Sequence, residues 1–349
     1  MDRLCSWLWI GLGLAGSALG GCGSGSSTAN GKDAGLSNGA GGSTATTPSN
    51  DAGASGGNSV PVPDAGANTL VGTFQVKLTG AVDGSPATTA VIGKVYDGPT
   101  PGTIIWENPQ TDGDCTLTTP RVPFCNTPCG GSAACVADDT CEAYPTAHDV
   151  GAVMVSGLRT TGGASSFTMT AISNAYQPPA GTTLAYPPFS EGDAVSFVAS
   201  GGALPGFTLN ATGIAPLVLT STSIELKSGD PVNLTWTPGA SANGSINVKL
   251  DISHHGGTKG QILCDTKDTG SLTISAALVK KLIGLGVAGY PSVIVTRHSD
   301  GSAVISAGRV DLIVSSVVEQ AITVEGLTSC TADSDCPSGK TCQTDLSCE

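Results

Sequence analysis

The sequence predicts an all-β protein built from two antiparallel β-sandwich domains, with a disulfide-rich loop and a disulfide-rich tail. From about Thr69 onward, short segments alternate apolar and polar residues with a period of two, which is typical of half-buried strands. Gly, Pro, Asn and Asp residues separate these segments at intervals of roughly 8 to 12 residues. Helical patterns long enough to connect parallel strands are missing from the sequence, and this favours antiparallel sheets.

The first 21 residues are predicted to be a signal peptide. Arg3 supplies a positive start, and residues 8–19 form an almost uncharged apolar run that ends in small residues. The run is well short of the roughly 20 apolar residues that span a bilayer, so we do not expect a transmembrane helix.

Cys22 follows the sequence Leu19-Gly20-Gly21, and this arrangement resembles the lipobox of bacterial lipoproteins. The resemblance implies cleavage before Cys22, a thioether from its thiol to diacylglycerol, and acylation of its amine. Several acyl chains hold a protein at a membrane far more firmly than one chain does. Gly23 stands where an aspartate would retain such a protein at the inner membrane, so the resemblance implies the outer membrane. The alternative is an ordinary signal peptide cleaved nearby, with Cys22 incidental.

Residues 22–68 are predicted to be a disordered tether. They are mostly Gly, Ser, Ala, Asn, Thr and Pro, and they carry hardly any large apolar side chain that could offset the entropy of ordering. A Gly-rich coil of this length has a reach of roughly 40 Å. It would hold a folded domain away from a membrane surface.

Ten of the 12 cysteines remain once Cys5 leaves with the signal peptide and Cys22 takes lipid. That number suits an oxidising compartment better than a cytosol. The stretches CGGSAACVADDTCE and CPSGKTCQTDLSCE both have a cysteine at every sixth residue, so we interpret them as two copies of one small disulfide knot. The knot cysteines are Cys125, Cys129, Cys135 and Cys141 in the first copy and Cys330, Cys336, Cys342 and Cys348 in the second.

The pairing inside each knot stays open, since four cysteines allow three connectivities. A structural zinc site is the rival interpretation, but it usually has closer ligand pairs than the five-residue gaps of the tail. Cys115 and Cys264 lie outside both knots, and they could pair with each other or remain buried thiols. The tail knot is expected to stand apart from the domain that precedes it.

The structured region is longer than one typical sandwich, so we divide it near Pro216. The first predicted sandwich covers residues 69–215 and contains a cysteine-rich insertion at 115–141. The second covers residues 216–327, and a cysteine-rich tail follows at 328–349.

Individual sequence segments predict the strands and the helix of these domains. TFQVKLTG places Phe74, Val76 and Leu78 on one face of a strand, and SINVKLDIS predicts another half-buried strand in the same way. SVIVTRHS and SAVISAG are predicted as two separate strands. Only residues 276–285, after Ser275 as the N-cap, predict a short helix.

The stretch SGDPVNLTWTPG resembles the second strand of fibronectin type III and immunoglobulin-like sandwiches. In that strand a tryptophan two residues after a leucine points into the core and a Pro-Gly turn follows; here they are Leu234, Trp236, Pro238 and Gly239. The resemblance implies such a fold for the second domain, with the predicted helix as an insertion. The whole layout also resembles surface lipoproteins of Gram-negative soil bacteria, which implies a location and a fold but no activity.

The sequence contains none of the common catalytic motifs, and we predict no catalytic, cofactor-binding or metal-binding residue. DISHHGG is the best constellation, with Asp251 expected to face outward and His254 and His255 at the strand end. Adjacent residues of an extended chain point to opposite faces, so at most one histidine can join Asp251, and a polar turn is the favoured interpretation. DSDCPSG imitates a calcium loop but fits turn chemistry better.

The formal net charge of −13, with 15 basic residues spread singly, argues against nucleic acid as a partner. Sugar binding is an alternative because aromatic rings could stack on sugars, although aromatic residues form only 4% of the chain and mostly belong in cores. The candidate rings are Trp106, Tyr96, Tyr144, Tyr176, Tyr186 and Tyr290.

Together these features predict a lipid-anchored, non-catalytic protein of the outer membrane that binds another envelope protein or a polysaccharide. A carbohydrate-binding surface module, a cryptic envelope hydrolase and a metal-binding protein are the alternatives.

Overall fold

The computed structural model describes residues 69–82, 84–240, 244–257 and 259–349. The predicted signal peptide, Cys22 and the predicted tether lie outside these residues. Within them the protein is all-β, as predicted, with 19 strands and one α-helix. None of the described helices is long and apolar enough to cross a membrane.

Strands make up nearly all of the regular structure. In chain order they are β1 (Leu70–Thr79), β2 (Thr88–Val95), β3 (Ile105–Asp112), β4 (Cys115–Arg121), β5 (Ala133–Ala137), β6 (Thr140–Ala143), β7 (Val153–Ser156), β8 (Ser166–Met169), β9 (Ala175–Tyr176), β10 (Ala194–Ala199), β11 (Phe207–Thr212), β12 (Glu225–Leu226), β13 (Val232–Thr235), β14 (Ser245–Asp251), β15 (Gln261–Lys267), β16 (Ser271–Ile274), β17 (Ser292–Ile305), β18 (Gly308–Ala321) and β19 (Thr323–Val324). The α-helix, α1, spans Ala276–Ile283, and a 3-10 helix spans Asp333–Asp335.

One sheet of nine strands dominates the fold, in the order β3-β4-β15-β14-β17-β18-β1-β2-β9. A second sheet has the order β11-β10-β7-β8, and the remaining described strands form the pairs β12-β19, β13-β16 and β5-β6. The pair β1-β18 is parallel, as is β12-β19. A parallel pair needs a long connection, and nearly the whole chain between β1 and β18 supplies it, so no crossover helix is required.

The nine-stranded sheet draws strands from both predicted sandwiches. β1, β2, β3, β4 and β9 precede Pro216, whereas β14, β15, β17 and β18 follow it. A continuous hydrogen-bonded ladder therefore runs across the predicted boundary. Both predicted sandwiches therefore contribute strands to one sheet.

Two hydrophobic cores lie on one face of this sheet, which we call the inner face. In the first core, β1, β2 and β18 pack against the four-stranded sheet, and the ring of Phe74 contacts those of Tyr176 and Phe197. In the second core, β14, β15 and β17 pack with α1 and the pairs β12-β19 and β13-β16. Leu234 and Trp236 are buried in the second core, as the sequence predicted.

SVIVTRHS and SAVISAG form one strand of 14 residues, β17, where two strands were expected. Gly301 between them stays in the ladder opposite Leu312 and does not make a turn. A Cβ atom at Gly301 would collide with the backbone carbonyl of Asn210. The glycine is needed for this close approach of β11 to β17.

The predicted helix is confirmed, with a shorter C-terminal end. Ser275 is the N-cap, and its side chain accepts a hydrogen bond from the Leu278 amide at 3.3 Å. The helix buries Leu278, Val279 and Leu282 on one side, in the second core.

The ten cysteines in the described part of the chain all form disulfides, as predicted for the eight knot cysteines and as one of two options for Cys115 and Cys264. In each knot the first cysteine pairs with the third and the second with the fourth, so both copies have one connectivity. These disulfides use the thiols that a zinc ion would need as ligands. The knot pairs are Cys125–Cys135, Cys129–Cys141, Cys330–Cys342 and Cys336–Cys348.

Cys115 and Cys264 pair directly across strands β4 and β15. Both are buried in the second core. The sequence separation is 149 residues, and closing a loop of that length stabilises the fold by roughly 5 kcal/mol in the chain-entropy description. The bond fastens a strand of the first predicted domain to the core of the second.

The tail knot packs on the fold, which corrects the expectation that it stands apart. The Gly289 amide donates a hydrogen bond to the Asp345 carbonyl at 2.7 Å, and the Ser329 hydroxyl donates to the Gly289 carbonyl at 2.5 Å. Cys330 and Cys348 are buried. These contacts join the tail to the loop that follows α1.

The calcium-like stretch at the tail is a turn, as its chemistry suggested. Asp335 accepts hydrogen bonds from the amides of Thr331 and Ala332 and from the Thr331 hydroxyl. Asp333 accepts one from the Cys342 amide at 2.8 Å. The two carboxylates therefore accept hydrogen bonds from backbone amides within the tail knot.

Peptide mapping under non-reducing conditions tests the two knots. Mass spectrometry is expected to find the four knot pairs within their own copies and a separate link between Cys115 and Cys264. A peptide that joins a cysteine of the first knot to one of the second would contradict the fold. The same digest after reduction is the control.

Candidate functional site

The outer face of the nine-stranded sheet is polar, in contrast to the inner face that carries the cores. Directly opposed residues of a ladder lie on the same face, so the strand register places the outer side chains in rows. One row runs Lys77, Ser315, His298 across β1, β18 and β17. We call the following set the polar face: Gln75, Lys77, Asn247, Asp265, Thr296, His298, Asp300, Ser302, Arg309, Asp311, Ile313, Ser315 and Val317.

The polarity of this face follows from the period-two pattern of its strands. In β1, Phe74 and Val76 are buried on the inner face while Gln75 and Lys77 point to the outer face. The same alternation applies to β17, where the inner residues are buried and His298 lies between two of them.

The polar face lines a shallow hollow with a volume of about 620 Å³. A second hollow of about 800 Å³ adjoins it, and Asp265 and His298 line both. Of the 13 residues that line the first hollow, 11 are polar or charged, and Ile313 and Val317 are the apolar members. This surface suits a hydrophilic ligand better than an apolar one.

Ser315 lies at the centre of the polar face and is only 2% exposed. Its Oγ atom has no hydrogen-bond partner in the structure. Buried hydroxyls are nearly always hydrogen-bonded, because an unpaired one costs about 1–3 kcal/mol. The hydroxyls of Thr118 and Ser292, which do not line the hollow, are unpaired in the same way.

Asp300 orients the imidazole of His298. The His298 Nδ1 atom lies 2.7 Å from Asp300 Oδ2. This hydrogen bond raises the pKa of His298, burial opposes it, and the negative charges of Asp300 and Asp265 add to the increase. The bond occupies Nδ1, so the protonated ring has its Nε2–H for another acceptor.

The other carboxylates of the polar face already have partners. Asp265 accepts a hydrogen bond from the Asn247 side chain at 2.8 Å. Asp311 accepts from Ser302 at 2.8 Å and from Arg309 at 2.9 Å. Lys77, in contrast, has no ion-pair partner among the residues that the structure describes. It is the uncommitted cation of this surface.

Asp300, His298 and Ser315 are the residue types of a hydrolytic triad, but they do not form one. The Ser315 hydroxyl makes no hydrogen bond to His298 and is buried. Ser315 also lies in mid-strand, with paired strands on both sides. The ladders use the neighbouring amides that an oxyanion hole would need. The arrangement fits binding better than nucleophilic catalysis.

DISHHGG does not assemble a site. Asp251 lies on the outer face, as the strand alternation predicts, but it is only 8% exposed. Ser253 donates hydrogen bonds to its carboxylate through both amide and hydroxyl, and Lys249 forms an ion pair with it. The rings of His254 and His255 contact each other, with centroids 3.9 Å apart. The Gly256 amide closes a turn onto the Ser253 carbonyl, which confirms the turn interpretation.

The aromatic rings considered for sugar stacking do not line the polar face. Tyr176 is buried in the first core and Tyr186 packs against that core. Trp106, Tyr144 and Tyr290 are exposed elsewhere.

Sequence reasoning missed the polar face, although one signal was available. His298 and Asp300 are two residues apart in an extended segment and must therefore share a face. Lys77 and Ser315 gave no such signal, because only the pairing of β1 with β18 brings them together.

Comparisons with known proteins add little to this description. No protein-family model matches the sequence, and no curated protein matches it. Among solved structures, a crystal structure of the FN1–FN3 domains of chicken CNTN1 is similar over 68% of this chain and 80% of that chain, with 10% identity and a TM-score of 0.19. A TM-score this low supports no statement about the site.

The fold and the site define the class of protein. The described chain is an all-β sandwich protein with a disulfide-rich loop and tail, and its large sheet presents an open polar face.

Asp300→Asn is expected to lower the pKa of His298, since the bond to Asp300 is the largest cause of the increase. A raised histidine pKa contributes stability that is fully present below the unfolded-state value of about 6.5 and is lost as pH rises through the folded-state value. Titration of the imidazole by NMR measures the shift. Asp230→Asn, an exposed change outside the polar face, should leave His298 unaltered, and an equal His298 pKa in Asp300→Asn would contradict the account.

Proposed function

We propose that this protein is a lipid-anchored, non-catalytic binding protein of the outer membrane, and that the polar face takes a hydrophilic ligand of the cell envelope. The observation that carries the binding role is the unpaired, buried hydroxyl of Ser315 in the middle of an open polar hollow.

The disulfides support an exported location. Five of them lie in the described part of the chain, and such bonds persist in oxidising compartments. The resemblance of Leu19-Gly20-Gly21-Cys22 to a lipobox supports the lipid anchor, and Gly23 supports the outer membrane. Residues 23–68 would then be the tether between the anchor and the binding domain.

A polysaccharide fits the polar face better than an envelope protein does. The centres of protein interfaces are enriched in aromatic residues, Met and Arg and depleted of charged residues such as Asp and Lys. The hollow instead carries carboxylates, amides and hydroxyls, which match the hydroxyl groups of sugars by hydrogen bonding. The alternative as an envelope hydrolase has no supporting geometry at Ser315.

Cys22→Ser is expected to release the protein from membranes and to abolish incorporation of labelled fatty acid, because the thiol is the attachment point that the lipobox implies. Membrane fractionation and metabolic labelling measure the two effects. Cys5→Ser, within the predicted signal peptide, is the matched control and should leave both unchanged.

Two results would contradict the anchor. The first is a Cys22→Ser protein that still incorporates fatty acid and fractionates with membranes. The second, for the location, is a density gradient that places the wild-type protein only in the inner membrane.

A further inference from the structure

We infer that Lys77, Ser315 and His298 form an oxyanion-binding centre, which takes a carboxylate or phosphate group carried on an acidic polysaccharide. The inference rests on the proposed function, because it names the ligand class of the same polar face. Nothing in the motifs of the sequence assigns a role to these three residues.

The three side chains form one row across adjacent strands. Lys77 lies opposite Ser315, and Ser315 lies opposite His298. Neighbouring strands are about 4.8 Å apart, so a hydroxyl has a basic side chain on each side within reach of one oxyanion. The groups are all donors: an ammonium, a hydroxyl and an imidazole N–H.

The state of each donor favours an anion as the missing partner. The Ser315 hydroxyl is buried without a hydrogen bond. Lys77 has no carboxylate partner among the described residues, unlike Arg309, which is bound to Asp311. Asp300 accepts from one nitrogen of His298 and favours the protonated ring, whose other N–H remains a donor.

Charged groups of β1, β14, β15 and β18 share the outer face with His298, with Lys249 on β14 and Arg309 on β18 among them. Lys77 is on β1, Asp311 on β18, and Asp265 and Lys267 on β15, in addition to Asp300 on its own strand. The carboxylates at Asp265 and Asp311 already accept hydrogen bonds from neighbouring side chains. Protonation of His298 adds a positive charge to this row and therefore favours an anion there.

The remainder of the hollow points to a sugar as the carrier of the anion. Gln75, Asn247, Thr296 and Ser302 contribute amides and hydroxyls, which pair with hydroxyl groups. The two hollows meet at Asp265 and His298, so a chain of several sugar units could lie across both. The net charge of −13 disfavours a dense polyanion, so the proposed polysaccharide carries few acidic groups.

The test measures binding of defined probes to the full-length mature lipoprotein in detergent micelles. Trigalacturonate carries carboxylates, glucose 1-phosphate carries a phosphate, and maltotriose is neutral. At pH 6 we expect at least one acidic probe to bind about tenfold more tightly than maltotriose. The same probe should shift the imidazole signal of His298 in NMR spectra more than those of the other three histidines. Which acidic probe binds identifies the carboxylate or the phosphate as the source.

Three variants address the row itself. Lys77→Gln and His298→Gln should each weaken binding of the acidic probe about tenfold, whereas Lys280→Gln and His255→Gln, away from the polar face, should not change it. Ser315→Ala should weaken binding without lowering the melting temperature, since it removes a hydroxyl that has no partner in the protein. Binding to the wild-type protein should weaken as pH rises through the pKa of His298, and His298→Gln should lose that dependence.

Thr296→Arg, which fills the hollow beside His298, distinguishes failure of the oxyanion centre from failure of the polar face as the ligand surface. If Thr296→Arg abolishes binding to isolated envelope polysaccharide but Lys77→Gln does not, the polar face is the ligand surface and the oxyanion centre is wrong. If Thr296→Arg also leaves that binding unchanged, the proposed function of the polar face is itself wrong. Equal affinity for acidic and neutral probes would overturn the centre as well.

Discussion

The buried ion pair between Arg297 and Asp268 ties together the place where the two cores meet. The Arg297 Nε atom lies 2.7 Å from Asp268 Oδ2, and the two side chains are 2% and 4% exposed. Arg297 also donates hydrogen bonds to the carbonyls of Ala215, Pro216 and Thr237. The Arg297 side chain therefore binds both the segment that links the two predicted domains and a loop of the second core. Loss of either charge would leave the other buried without a partner, which costs about 3–5 kcal/mol.

The contacts of Arg297 where the two cores meet, which we call the seam, also determine which residues of β17 lie on the polar face. Burial alone would raise the pKa of Asp268, but hydrogen bonds from Arg297, Trp236 and the Gly239 amide outweigh it, so the pKa lies below its usual value and the pair is ionised. On the inner face, Ser316 accepts a hydrogen bond from the backbone of the segment that links the two cores. Because strand residues alternate between faces, an inward Arg297 requires an outward His298. The inward Arg297 thus places His298 on the outer face, and the pairing of β17 with β18 puts it beside Ser315.

Local chemistry made part of this fold predictable. The N-cap at Ser275, the alternation of β1 and the even cysteine spacing all act over a few residues, and the structure follows them. The parallel pairing of β1 with β18 joins opposite ends of the described chain and leaves no local pattern. Gly301 was ambiguous because an Asp-Gly pair also marks turns, and only the approach of β11 explains it. The polar face depends on the pairing of β1 with β18 and on the continuous strand β17. The row formed by Lys77, Ser315 and His298 could therefore not be predicted from the sequence.

Native-state hydrogen exchange tests most directly whether the seam makes both cores one cooperative unit. Amides of β10, in the first core, and β13, in the second, should show the same opening free energy and the same urea dependence in the wild-type protein. In Arg297→Met the opening free energies of β10 and β13 should differ. Arg309→Met, which breaks a more exposed ion pair on the polar face, should leave them equal. Different opening free energies for β10 and β13 in the wild-type protein would contradict the account.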